Sequence, residues 1–164
     1  MDAIEIIRHS EATSENIDRA INLKQKAWSY PKESQIKWIQ DNLREEDYHV
    51  FLLRDGHDVA YLNMVSVNCI INGASMQCVG IGNVCSSVTG GGKALLSCVN
   101  TYLLNNKLTG LLFCRDTVVG FYKKCNWKLI SPEQVTLRDF PPDINTMVYG
   151  IHDVKTIEYH DRNF

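Results

Sequence analysis

The segment Val84–Ala94, with the sequence VCSSVTGGGKA, carries three consecutive glycines between two different hydrophobic patterns. Residues 74–85 before the glycines have strand-like character, whereas the apolar side chains after them recur at helical spacing, at Leu95, Leu96, Val99, Tyr102 and Leu103. This glycine turn is therefore predicted to lead from a strand into a helix. The first amides of a helix lack partners within it and carry partial positive charge, and glycines let an anion approach them. We expect the glycine turn to bind phosphate.

The spacing of the glycines departs from two common nucleotide-binding motifs. A P-loop would need glycine at Ser87 and a hydroxyl at Ala94. The dinucleotide motif counted from Gly80 would need glycine at Cys85, and it would lie inside a strand. The residues do fit a third pattern, Gln/Arg-x-x-Gly-x-Gly/Ala, in the form Thr89-Gly90-Gly91-Gly92-Lys93-Ala94. The glycine turn is thus predicted to hold a pyrophosphate without either common motif.

Three strand-like runs upstream of the glycine turn are separated by Asp55-Gly56 and Asn72-Gly73. Both pairs are typical of type I′ hairpin turns, because Asn, Asp and Gly adopt positive φ at low cost. The sequence therefore predicts an antiparallel meander over Tyr48–Leu53, Val59–Ile71 and Ala74–Cys85.

The two ends of the chain complete the predicted order of elements. Three elements come before the meander: a strand at Ile4–Ile7, a helix capped by Thr13 or Ser14, and a helix that begins near Pro31. Four follow the helix of the glycine turn: a buried strand at Leu108–Cys114, a helix at Thr117–Lys124, and two closing strands at Trp127–Ile130 and Met147–His152. No linker or repeat divides the chain, so one domain over residues 1–164 is expected.

Two segments together resemble the GNAT superfamily of N-acetyltransferases. The first is Thr89–Ala94, and the second, Gly120–Trp127 (GFYKKCNW), is similar to the family's Phe-Tyr-x-x-x-Gly-Phe/Trp signature. The resemblance implies an α/β fold with a mixed, mostly antiparallel central sheet of about six or seven strands and helices on both faces. Thr89 replaces the usual Gln or Arg, and Asn126 replaces a glycine, although Asn tolerates positive φ. A fainter similarity, over Arg115–Tyr149, is to aminoglycoside 2′-N-acetyltransferases.

The resemblance implies an acetyl-CoA-dependent N-acetyltransferase in which the amine of a small molecule or peptide attacks the acetyl carbonyl directly. It assigns cofactor binding to the backbone of a strand that diverges from its neighbour and to the glycine turn, at Val84, Cys85, Ser86, Thr89, Gly90, Gly91, Gly92, Lys93 and Ala94. It makes Tyr122 the general acid, in contact with the cofactor near its sulfur. It places Trp28, Tyr30, Trp38 and Asn83 around the acceptor.

Several of these residues have a second interpretation. Tyr122 and the tryptophans would also serve as core packing. Cys85 beside the thioester suggests an acyl-carrying nucleophile, but the sequence puts no base near it, which favours a small buried strand residue. No carboxylate falls between Ser75 and Ser86, so the base is His152, Asp153 or solvent. A non-catalytic acyl-CoA-binding module is the alternative function.

The composition excludes several other classes of protein. The chain has 17 Lys and Arg against 19 Asp and Glu, with no basic cluster, so a nucleic-acid partner is not expected. None of the six cysteines forms a C-x-x-C pair, and no metal is expected. The first residues are neither a signal peptide nor a membrane span, which indicates a cytoplasmic protein without a membrane partner. A homodimer is left open.

Overall fold

The computed structural model describes residues 1–164, with nine strands and four helices. In chain order the elements are β1 (Asp2–Arg8), α1 (Ser14–Ala27), α2 (Lys32–Asn42), β2 (Tyr48–Arg54), β3 (His57–Ile71), β4 (Ala74–Ser86), α3 (Gly91–Asn105), β5 (Gly110–Cys114), α4 (Asp116–Lys124), β6 (Lys128–Ile130), β7 (Val135–Leu137), β8 (Asn145–Tyr149) and β9 (Ile157–Tyr159). The chain forms two compact units. The first holds residues 1–65, 81–98 and 163–164, and the second holds residues 66–80 and 99–162.

The strands of the first unit pair in an antiparallel manner. β1 pairs with β2, from Asp2 opposite Arg54 to Arg8 opposite Tyr48. β2 pairs in turn with the first half of β3, with one register irregularity beside Leu52. β1 has a partner strand on one side only, and its Ile4 side chain is exposed.

Helix α1 begins at a capping box on Thr13, one of the two residues that the sequence predicted as the cap. The Thr13 hydroxyl accepts from the backbone N–H of Asn16 at 3.2 Å, and the Asn16 side chain accepts from the backbone N–H of Thr13 at 2.9 Å. Two of the unsatisfied donors at the helix start are thereby bonded. The apolar face of α1 then packs into a core cluster of the first unit that contains Ala20, Leu23, Phe51, Tyr61 and Cys85.

Both predicted hairpin turns are present. Asp55 and Gly56 have φ values of 51° and 80°, and Asn72 and Gly73 have φ values of 52° and 79°. Two successive positive φ angles are the signature of the type I′ turn, which matches the right-handed twist of the strands it joins.

The second unit contains the remaining strands. β4 pairs with β5 in parallel, at Val79 opposite Gly110 and Gly80 opposite Leu111. β5 and β6 both pair with β8 in an antiparallel manner, and β9 pairs with β3 and β7. Inside this unit the indole N–H of Trp127 donates to Asn100 at 3.0 Å. A Cβ on Gly110 would lie 2.5 Å from the Trp127 ring, so only glycine fits there.

The predicted fold class is confirmed, since the structure is mixed α/β with mostly antiparallel pairing. Nine strands are present instead of six or seven, because β7 and β9 have three residues each and are too short to show a two-residue alternation. Asn126 has a φ of 67°, as its place in the signature required. None of the four helices combines the length and apolar character that crossing a bilayer demands.

Candidate functional site

The glycine turn has the predicted position between a strand and a helix, in the first unit. β4 ends at Ser86 and α3 begins at Gly91, while Gly90 takes a φ of 80°. The Ser86 hydroxyl donates to the Val88 carbonyl at 2.7 Å and accepts from the Val88 N–H at 3.2 Å. A Cβ on Gly91 would lie 2.3 Å from Ser86 Oγ. The tight bend therefore requires glycine at 91, because the serine side chain fills the space where a side chain of residue 91 would project.

Several amides of the glycine turn have no acceptor within the protein. The N–H of Gly91 donates to Val88 at 3.2 Å, and that of Ala94 donates to Gly90 at 3.0 Å. Within Thr89–Ala94, the other four amides are unbonded, at Thr89, Gly90, Gly92 and Lys93. Residues 87–90 are exposed, and a Cβ on Gly90 would meet no atom within 4 Å. Unbonded amides at a helix start, with open space in front of Gly90, fit the diphosphate of a CoA molecule.

Strand β4 changes direction just before the turn. Asn83 has a φ of 56° in the middle of the strand, a left-handed conformation that Asn tolerates better than most residues. The pairing between β4 and β5 ends at Gly80 and Leu111, although β4 continues to Ser86 and β5 to Cys114. The backbone of Val84, Cys85 and Ser86 is therefore outside the β4–β5 ladder, as the predicted divergence of the two strands requires.

A cavity of about 350 Å³ lies within the first unit, at α1, α2 and β4. It brings together all four residues that the sequence predicted around the acceptor, namely Trp28, Tyr30, Trp38 and Asn83. Lys24, Ser34 and Gln35 also line it, and these three residues were not predicted from the sequence. A signal existed, because Lys24 follows Ala20 by one helical turn and Gln35 precedes Ile39 by one turn, and both apolar residues are buried.

Two polar residues of this α1–α2 cavity, Lys24 and Gln35, are almost wholly buried. Lys24 is 4% exposed, its Nζ lies 4.7 Å from the centroid of the Trp38 ring, and no carboxylate lies within 4.0 Å of it. Burial lowers the pKa of Lys24. Gln35 is 3% exposed, and its Nε2 donates to the carbonyls of Tyr30 at 3.3 Å and Trp28 at 3.5 Å. Its Oε1 has no donor in the protein.

A chain of five hydrogen-bonded side chains starts at Asn83 in the cavity wall. Asn83 Nδ2 donates to Asn63 Oδ1 at 2.8 Å, and Asn63 Nδ2 donates to Tyr61 Oη at 2.7 Å. Tyr61 Oη lies 2.6 Å from His49 Nδ1, and His49 Nε2 lies 2.9 Å from His9 Nδ1. This polar chain holds Asn83 in place through buried groups.

The proton positions in the polar chain follow from its geometry. Because Tyr61 already accepts from Asn63, its own O–H donates to His49 Nδ1, so His49 carries its proton on Nε2 and donates to His9. Burial, with smaller contributions from His9 and Lys24, lowers the pKa of His49 to about 4. His49 is therefore neutral at pH 7. Nothing in the sequence signalled this chain, because its members are far apart along the polypeptide.

Tyr122 lies on α4, in the second unit. Its side chain is partly buried, its ring packs against Phe121 at 5.1 Å between centroids, and burial raises the pKa of its hydroxyl. The hydroxyl therefore keeps its proton through the neutral range, as a general acid must.

The other candidates for catalysis differ in their exposure to solvent. Cys85 is buried, and burial raises the pKa of its thiol to about 12, so it is a protonated core residue and not a nucleophile. His152 and Asp153 are both exposed on the second unit.

A comparison with known families agrees with this geometry. The model of the acetyltransferase (GNAT) domain matches residues 8–130. The chain belongs to the GNAT acetyltransferase family. Acyl-CoA-dependent acetyl transfer is the activity of this family, and the protein is an acyltransferase. No curated protein sequence is significantly similar to the chain.

Solved GNAT structures have the same fold. An acyl-CoA N-acyltransferase from Pseudomonas aeruginosa is 16% identical, with a TM-score of 0.63 over 90% of this chain and 99% of its own. The Escherichia coli family member YhbS, in complex with CoA, is 13% identical, with a TM-score of 0.65 over 97% of this chain and 89% of its own. The ribosomal-protein-S18-alanine N-acetyltransferase of Escherichia coli is 14% identical, with a TM-score of 0.60 over the whole of both chains. At such identities the likeness shows the fold alone.

Proposed function

We propose that this GNAT protein is an N-acetyltransferase that moves an acetyl group from acetyl-CoA to the amine of a small molecule or peptide by direct attack. The observation that carries the proposal is the set of four unbonded amides in the glycine turn, at Thr89, Gly90, Gly92 and Lys93. Amides fixed at a helix start bind an anion without reorganisation. The CoA bound to the structural neighbour YhbS is a ligand of the matching chemistry.

The residues that would hold acetyl-CoA are those of β4 and the glycine turn. The four amides would bind the diphosphate, and the backbone of Val84, Cys85 and Ser86, free of the β4–β5 ladder, would bind the pantetheine arm. Bound acetyl-CoA supplies the acetyl group as a thioester. Thr89 brings no charge to the diphosphate, so the exposed ammonium of Lys93 and the backbone supply the attraction.

The acceptor would bind in the α1–α2 cavity, against Trp28, Tyr30 and Asn83. Its amine loses a proton to solvent, because β4 carries no carboxylate from Ser75 to Ser86. The nitrogen then forms a bond to the acetyl carbon while the carbon–sulfur bond breaks, and the nitrogen releases its second proton to solvent as the amide forms. Tyr122, protonated at neutral pH, gives its proton to the departing thiolate and regains one from solvent.

Two measurements test the proposal. Saturating acetyl-CoA should raise the Tm, since a ligand that binds only the folded state stabilises it by mass action. Free thiol should then appear when the protein is offered a panel of amino acids, peptides, polyamines and aminoglycosides. A Tm shift without thiol release from any amine would indicate a non-catalytic acyl-CoA-binding module, and the absence of a Tm shift would contradict both functions.

A further inference from the structure

We propose that the α1–α2 cavity selects an acceptor that carries a carboxylate beside its amine on a compact apolar body, which is the chemistry of an apolar or aromatic amino acid. The inference rests on the proposed function and names its substrate class. It excludes polycations such as polyamines and aminoglycosides, which the family resemblance by itself would allow. Three features of the cavity support the inference: the charge of Lys24, the unpaired oxygen of Gln35 and the aromatic walls.

The first feature is the unbalanced charge of Lys24. Its side chain is almost wholly buried, and its Nζ lies over the face of the Trp38 ring, 4.7 Å from the centroid. Two titratable groups interact electrostatically with Lys24, and both are neutral at pH 7, because the pKa of Cys85 is raised to about 12 and that of His49 is lowered to about 4. A buried charge without a counter-charge is unfavourable, and a ligand carboxylate would supply one. A cation that brings no carboxylate into the cavity would be repelled.

The second feature is the unpaired oxygen of Gln35. Its Nε2 is bonded to two carbonyls, of Tyr30 and Trp28, so the amide cannot be reversed without placing its oxygen against two other oxygens. The orientation is therefore fixed, and Oε1, which belongs to a residue that lines the cavity, is left as a buried acceptor without a donor. A buried acceptor without a donor is unfavourable, and an N–H group of the ligand would supply the missing hydrogen bond. The cavity thus offers one cation and one acceptor, the complement of an amino acid's carboxylate and amine.

The third feature is the aromatic lining. Trp28, Tyr30 and Trp38 line the cavity together with Ser34 and Asn83, and the volume of about 350 Å³ is at the lower end of the range for small-molecule pockets. Aromatic walls stabilise an apolar or aromatic side chain.

The experiment compares amino acids with the amines that remain when their carboxylates are removed. L-Methionine is paired with 3-(methylthio)propylamine, and L-phenylalanine with phenethylamine, with spermidine as the polycation. Binding to the full chain saturated with CoA is measured by calorimetry, so that no reaction occurs. Each acid should bind at least about tenfold more tightly than its amine, in line with a charge-assisted hydrogen bond worth about 1.5–3 kcal/mol.

Substitutions at Lys24 and Gln35 test which residue causes the preference for the acids and which binds the amine. Lys24→Met, which keeps the apolar stem, should reduce the tenfold preference to less than about threefold by weakening only the acids. Lys26→Met is the matched control, because Lys26 lies on the same helix with its side chain exposed, and it should leave every affinity unchanged. Gln35→Leu should weaken both members of each pair, since both carry the amine.

The outcomes separate this inference from the proposed function. Equal affinities within a pair, tighter binding of the amines or of spermidine, or no binding of any compound would overturn the inference. Thiol release from acetyl-CoA is then measured with the same compounds. Acetylation of the amines without any preference for the acids would leave the proposed function intact and refute only the inference. Acids that bind through Lys24 but release no thiol would support the cavity assignment and contradict the proposed acetyl transfer.

Discussion

The glycine turn and the α1–α2 cavity offer ligands different kinds of groups. The turn offers backbone amides, held by the bend at Ser86 and the start of α3, while the cavity offers side chains from α1, α2 and β4. A backbone site needs only small residues at fixed spacing, so it leaves a motif in the sequence. A side-chain site depends on which residues the fold brings together. The turn therefore identifies the common ligand of a family, whereas the cavity identifies what is particular to this protein.

The largest effect is expected from Tyr122, which lies in neither the glycine turn nor the α1–α2 cavity. Tyr122→Phe removes the proposed proton donor, and a positioned acid contributes about 10²–10⁴ in rate. We expect kcat for thiol release to fall by roughly that factor, with the acetyl-CoA-dependent Tm shift unchanged. An unaltered kcat would leave Tyr122 as a packing residue beside Phe121.

The stability of the fold should depend on pH through His49, which is linked to the cavity wall by the polar chain. The folded-state pKa of His49 is about 4, below its usual 6.5, so the unfolded chain binds more protons between these values and stability falls as the pH is lowered through them. At about 1.4 kcal/mol for each pH unit, the free energy of unfolding should drop by about 3 kcal/mol between pH 6.5 and pH 4. Chemical denaturation over this range measures it.

A histidine pair provides the control for the pH experiment. His49→Gln should abolish most of this pH dependence, whereas His57→Gln, at an exposed residue, should preserve it. Identical pH profiles for the two variants would show that His49 does not control the effect.

A glycine pair tests whether the turn binds through its backbone. Gly90 and Gly56 both have a φ of 80°, and a Cβ on either would meet no atom within 4 Å. Alanine at each should therefore destabilise the fold equally, by about 1–2 kcal/mol. Only Gly90→Ala should also diminish the Tm shift with acetyl-CoA, because only it disturbs the free amides. An equal loss of the Tm shift in both variants would argue against a site at the turn.

The smallest effect concerns the charge that Thr89 lacks. Thr89→Arg should tighten acetyl-CoA binding by about two- to fivefold, since exposed ion pairs contribute roughly 0.2–1 kcal/mol. Calorimetry at low and high salt checks this prediction, because screening should remove the gain at about 1 M salt. A gain that persists at high salt would point to a contact other than the diphosphate.

Features that depend on local backbone preferences could be predicted from the sequence, whereas those that depend on side chains brought together by the fold could not. The hairpins at Asp55-Gly56 and Asn72-Gly73, the cap at Thr13 and the positive φ of Asn126 follow from local preferences, and all are present. The short strands β7 and β9 carry too few residues for a pattern, so they were not predicted.

At the candidate site, the aromatic residues of the cavity were predicted through the family resemblance, and the structure brings them together. Lys24 and Gln35 were missed because polar residues on a helix were assumed to face solvent, although both share a helical face with buried apolar residues. The polar chain from Asn83 to His9 could not be predicted, because its bonds join residues 2 to 40 positions apart.

The left-handed backbone of Asn83 constrains any attempt to redesign acceptor choice. A β-branched or bulky residue at position 83 would be strained by the φ of 56°, and loss of the amide would leave Asn63 Oδ1 without the donor that Asn83 provides. A mutant library that randomises position 83 would thus yield mostly unstable clones. Directed evolution toward new amines should instead vary the helical positions 24, 35 and 38, whose backbone accepts most amino acids.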